Sequence, residues 1–112
     1  MKISAVEPLI VGGKFVLVRV HTDEGLVGIG ECSPMNAPVI ASTVDHTLAG
    51  LLTGEDPMAI ERLVEKLAIA TYKLEGRTQA TAISGVELAL WDLKGKALGV
   101  PVYELLGGMH RD

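Results

Sequence analysis

Apolar and polar positions alternate in twos through the first third of the chain, then recur at helical spacing to its end. Ile3 to Ile10 reads as a loose strand, and Pro8, lacking an N–H, predicts that it lies at a sheet edge. Gly12-Gly13 makes a short turn. From Lys14 to Thr22 the pattern is regular: Phe15, Leu17 and Arg19 share one face, Val16, Val18 and Val20 the other. Asp23-Glu24-Gly25 is a hairpin loop with glycine available for positive φ. Leu26 to Cys32 is a third strand whose Gly28 and Gly30 leave one face bare, which predicts close approach by another backbone. The three segments form an antiparallel meander.

Two prolines and an asparagine make Ser33 to Pro38 a loop. Val39 to Leu52 is helical, with Ile40, Val44, Leu48 and Leu51 or Leu52 on one face, and Gly54 ends it. Asp56-Pro57 predicts a new helix start, Asp as N-cap and Pro in the first turn. Ile60, Leu63, Val64, Leu67 and Ala68 then form its buried stripe, and it frays near Glu75-Gly76. Thr78 to Leu98 carries apolar residues almost all round, so it is expected to be a buried central helix. Gly99 caps it, and Pro101 precedes a short helix, Val102 to Leu106. Strands followed by helices predict an α+β fold, a three-stranded antiparallel meander followed by a helical bundle.

The 112 residues suffice for one core and not two. Net charge is −4 with both signs interspersed, so no basic stripe exists for nucleic acid or an anionic membrane surface. No run approaches the roughly 20 apolar residues of a membrane span. The N-terminus lacks a continuous apolar stretch, and the lone Cys32 excludes an internal disulfide framework. A cytoplasmic location is the expectation.

Candidate chemistry is sparse. His21, His46 and His110 share no metal-ligand spacing with one another or with Cys32. Gly28-x-Gly30 is not a dinucleotide fingerprint, because Ser33 stands where the third glycine belongs and no helix opens there. Cys32 is expected to be buried and inert. Glu31 is expected to pair with an arginine or a backbone donor. Ser84, Glu87 and Asp92, polar on an apolar helix, are expected to join a structural network with Arg62, Arg77, Lys94 or Lys96. Trp91 is expected to pack in the core or between domains.

Three motifs in order carry a family resemblance. The acidic Gly hairpin Thr22-Asp23-Glu24-Gly25 precedes Gly28-Ile29-Gly30-Glu31. Gly54-Glu55-Asp56-Pro57 precedes Ile60-Glu61-Arg62-Leu63. The third, Ser84 to Gly108, reads SGVELALWDLKGKALGVPVYELLGG. Together they span nearly the whole chain and closely resemble the N-terminal capping domain of the mandelate racemase/muconate lactonizing enzyme family, in the enolase superfamily.

The resemblance implies a domain that packs over the mouth of a (β/α)7β barrel holding Mg2+ on three carboxylates, where a base abstracts the proton α to a substrate carboxylate. It implies no catalytic or metal-ligating residue here: a barrel needs about 250 residues, and the chain ends about where its first strand would begin. The expectation is therefore a capping domain, 1–112, without its barrel and inactive alone. Two loops are expected to close over substrate: Gly12, Gly13 and Lys14, and Ser33, Pro34, Met35 and Asn36, with Met35 and Asn36 as the foremost contacts. The wording of the third motif is closest to acid-sugar dehydratases and mandelate racemases, with cycloisomerases and dipeptide epimerases left open. Implied partners are its own or a separate barrel, a carboxylate-bearing small molecule, and further copies in a homo-oligomer. The alternative from another class is a stand-alone binding or oligomerisation module, burying the apolar face that a barrel would otherwise cover.

Overall fold

In a computed structural model covering residues 1–112, the meander forms as its periodicity predicts. Strands β1 (Ile3–Val11), β2 (Phe15–Thr22) and β3 (Val27–Cys32) make one antiparallel sheet in the order β1-β2-β3. Pro8 sits on an edge strand, where its missing N–H costs no ladder bond. Val16, Val18 and Val20 are fully buried on the inner face, while Phe15, Leu17, Arg19 and His21 project from the outer one.

Helices cover only the inner face. The first helical run continues through α1 (Ala37–Ser42), a π-helical stretch (Thr43–Leu48) and α2 (Ala49–Leu52). Ile40, Val44, Leu48 and Leu52 are all fully buried along it. Their strict spacing of four would drift around a regular α-helix, whose period is 3.6. The wider π turn absorbs the excess and holds all four on the core side.

The helix predicted from Asp56-Pro57 begins later. Asp56 does not cap it: its Oδ1 accepts the Met58 N–H at 2.9 Å in a local turn. Ala59 lies outside helical dihedrals (φ −88°, ψ 59°), and α3 runs Ile60–Ala70. Ile60, Leu63 and Leu67 are its buried stripe, whereas Ala68 is exposed. A 3₁₀ turn at Tyr72–Leu74 follows, earlier than the expected fraying point. Here the buried Gln79 amide donates to the Thr71 carbonyl and hydroxyl at 3.0 and 2.7 Å, and Thr71 Oγ1 donates to the Leu67 carbonyl at 2.6 Å. Those bonds satisfy polar groups that would be costly if buried alone.

The loop before α3 also bonds to the first residue of the β1 edge. Ile3 N–H donates to the Glu55 carbonyl, and Gly54 N–H to the Ile3 carbonyl. Glu55 is held from the other side by Lys66 (2.6 Å) and Arg62 (2.9 Å), which lower its carboxyl pKa from the usual 4.5 to about 2. A depressed carboxylate adds stability above its unfolded pKa and loses it as pH falls through the folded one. Glu55→Gln should therefore lower the unfolding midpoint at pH 7. That deficit should close between pH 4.5 and about 2 in parallel thermal melts.

The long helix α4 (Arg77–Leu98) lies across β3 and β2, ends on Gly99 in the left-handed region, and is followed by α5 (Val102–Leu105). Gly28 and Gly30 make its close approach possible. A Cβ on Gly28 would collide with the Ala89 carbonyl, and one on Gly30 with the Gly85 carbonyl. The expectation that α4 is buried all round is corrected. Ala82, Val86, Ala89, Leu90 and Leu93 are fully buried, but Ser84 and Leu88 face outward, Leu88 at 50% exposure. The helix caps one side of a two-layer structure, so nothing in this chain covers its far face.

Candidate functional site

The two loops singled out in the sequence emerge at the same end of the sheet. Val11 pairs with Phe15, leaving Gly12, Gly13 and Lys14 as a three-residue connection. Its path needs φ of 61° and 68° at the two glycines, a region that side-chain-bearing residues rarely enter. Lys14 N–H closes it onto the Val11 carbonyl at 3.3 Å. On the far side of β2, Cys32 pairs with Val16, so Ser33 leaves β3 beside the start of β2.

All seven loop residues are exposed, and Ala37, the first residue of α1, is buried and anchors the second loop. The Asn36 carbonyl accepts the Ile40 N–H at 3.0 Å, but its side chain caps nothing and stays free. Lys14 forms no ion pair; its ammonium lies 5.3 Å from the Phe15 ring centroid. It is the only charge among the seven residues. The surface hollows of the chain are elsewhere, and none is lined by either loop. The loop end is thus an open rim.

Glu31, level with Leu17 on β2, is exposed at this end and makes no ion pair or hydrogen bond, contrary to expectation. The nearest arginine on its face, Arg19, is already engaged with Glu7 at 2.7 Å. His21 Nε2 reaches the same Glu7 oxygen at 2.7 Å, and these contacts, His21 foremost, hold the Glu7 carboxyl below its usual range. Exposed Ile10, Val11, Phe15 and Val39 join Met35 in an apolar rim beside the loops; of these five, only Met35 is among the residues singled out in the sequence. Its signal was present: Leu9-Ile10-Val11 is apolar at three consecutive strand positions, which puts apolar side chains on both faces.

Cys32 is buried, and desolvation pushes its thiol up to about 11, so it remains protonated and unreactive at neutral pH. Asp92 does join a network, accepting the Ile29 N–H at 2.9 Å and pairing with Lys96 at 2.8 Å. Glu87 makes only a long contact with the Trp91 indole N–H, 3.4 Å, and Ser84 makes none. No three His, Cys, Asp or Glu side chains converge as a metal ion requires. A Mg2+ site of three carboxylates, the kind the resemblance implies, therefore has no counterpart among these residues. No helix is long and apolar enough to cross a membrane.

A three-stranded antiparallel meander backed on one face by helices, with two adjacent loops at one end, defines the α+β class of the domain. The sequence pattern of the mandelate racemase/muconate lactonizing enzyme N-terminal domain matches residues 9–107, and the chain belongs to that family. It is 44% identical to a D-galactonate dehydratase of Xanthomonas axonopodis pv. citri, a match covering all of this chain and 29% of the relative. A D-galactonate dehydratase of Verminephrobacter eiseniae is 42% identical, with the same coverage. An enolase from Pantoea ananatis, solved with bound D-gluconate and Mg, superposes with a TM-score of 0.92 at 40% identity, over 99% of this chain and 28% of that one. An enolase-superfamily member from Salmonella Typhimurium gives 0.91 at 37% identity, over 99% and 30%. The chain spans less than a third of the length of each.

Proposed function

We propose that residues 1–112 are the substrate-capping domain of a Mg2+-dependent acid-sugar dehydratase and do not catalyse by themselves. The observation that carries this reading is the pairing of the Gly12–Lys14 and Ser33–Asn36 loops at one end of the sheet, in a chain 44% identical to a D-galactonate dehydratase. A racemase-like outcome of the same proton abstraction α to a carboxylate is the finer alternative. Metal and bases belong to a barrel domain, in the same polypeptide or supplied by a partner, and the complete enzyme assembles as a homo-oligomer in the cytoplasm. Within this scheme Lys14 supplies the one loop cation for an anionic or polyhydroxylated substrate. Met35 and Asn36 give the opposite wall an apolar surface and an amide.

The test compares the 112-residue chain with a chimera in which it replaces the aligned N-terminal part of the Xanthomonas dehydratase. With Mg2+ and a panel of acid sugars, the chain alone should give no turnover, and the chimera should dehydrate at least one substrate. Turnover by the chain alone, or a folded chimera inert towards the whole panel, would refute the reading. In the active chimera, Lys14→Met should raise KM about tenfold or more, the loss of a charge-assisted hydrogen bond, with kcat within about twofold.

A further inference from the structure

The order β1-β2-β3 leaves β3 as a sheet edge, and its free groups follow from the register. Gly28, Gly30 and Cys32 pair with Val20, Val18 and Val16, while Ile29 N–H turns away from β2 towards α4. Val27, Ile29 and Glu31 therefore direct their backbone groups outward, as the second strand of an antiparallel pair does when it has no further neighbour. Two side chains one helical turn apart on α4 occupy that edge. Asp92 Oδ2 accepts the Ile29 N–H at 2.9 Å, and Lys96 Nζ donates to the Val27 carbonyl at 2.9 Å. The two are joined to each other at 2.8 Å. An acceptor meets an outward donor and a donor meets an outward acceptor, which is what an added strand would offer. The short Asp92 side chain reaches only because Gly28 and Gly30 let α4 settle onto β3.

We propose that the Asp92–Lys96 pair acts as a surrogate fourth strand that keeps the β3 edge closed to the β3 edge of a second copy of this chain. Identical strands can add antiparallel about a two-fold axis, with Ile29 facing its own counterpart and Val27 facing Glu31. Uncapped edges of this kind pair with one another. Ile29, 47% exposed on the outer face, would add an apolar cross-strand contact at the centre of such a pair. Replacing both α4 side chains by alanine frees the edge and also trims the helix surface that two copies would bring together.

Light scattering on size-exclusion fractions of the wild type, Asp92→Ala/Lys96→Ala, and the double variant carrying Ile29→Lys tests this. The double variant should run at twice the wild-type mass or more. Adding Ile29→Lys, at an exposed position, should return it to the wild-type mass by setting like charges face to face. A folded double variant of unchanged mass overturns the proposal. So does association that Ile29→Lys does not reverse, or a wild type whose own association Ile29→Lys abolishes. Should the double variant not fold, Lys96→Ala alone, at an exposed residue, decides it: a mass increase reversed by Ile29→Lys supports the guard, and an unchanged mass overturns it.

Discussion

Gly30→Ala is expected to destabilise the chain by about 3 kcal/mol or more, the upper range for forcing atoms into a packed core. A Cβ there would meet the Gly85 carbonyl and the Ala89 N–H, with Leu88 Cβ at 2.9 Å. The first two are backbone, so no rotamer change relieves the clash; α4 would have to lift off β3. For a domain of this size the thermal midpoint should fall by roughly 12 °C or more. Gly50→Ala is the internal control. It lies in α2 at negative φ, with nothing within 4 Å of the added carbon, and should raise stability by about 0.5–1 kcal/mol. Chemical denaturation of both variants checks the pair. Equal effects would mean that the close packing of α4 on β3 does not govern stability.

The second large effect is at Leu90. It is fully buried on α4, and Leu90→Ala should cost about 2–5 kcal/mol through lost burial and a residual cavity. Leu88→Ala, two residues away and half-exposed, should cost only about 1 kcal/mol, because half of its side chain is already in water. Both substitutions delete the same atoms from the same helix. Their difference measures the one-sided burial of α4 directly, and similar losses in denaturant melts would contradict it.

How far the sequence could be read depended on whether the deciding interaction was local. Alternation placed Val16, Val18 and Val20 inside, and Pro8 correctly marked an edge, because strand period and a missing N–H are properties of the residues themselves. Gly28 and Gly30 announced a close neighbour, and α4 supplies it. Misreadings arose where the outcome depended on distant partners. Asp56-Pro57 carries a sound start signal, yet the backbone around Met58 and Ala59 is spent on a turn whose neighbouring Gly54 and Glu55 pair with Ile3. Apolar residues around α4 implied full burial, but composition cannot say which faces the fold leaves uncovered. Glu31 was assigned a partner that cross-strand geometry had given to Glu7. For the candidate site, the two loops could be found by their turn residues, while their adjacency follows from the pairing of Val11 with Phe15 and of Val16 with Cys32. The strand part of the apolar rim, Ile10, Val11 and Phe15, needed both strand faces to be considered at once.

The dependence of the sheet on α4 also has a consequence in time. The meander is complete once Cys32 has been made, but the residues that fill the groove over Gly28 and Gly30 run to Leu93, some sixty positions later. At about 5–20 residues per second, a ribosome needs roughly 3–12 s to synthesise that interval. Through it, a finished hairpin pair holds an apolar surface and a bare edge with neither its cover nor its Asp92 cap. The nascent chain is therefore most exposed to mispairing not at its start but midway, and a pause after Leu93 has cleared the exit tunnel should protect it far more than one placed before.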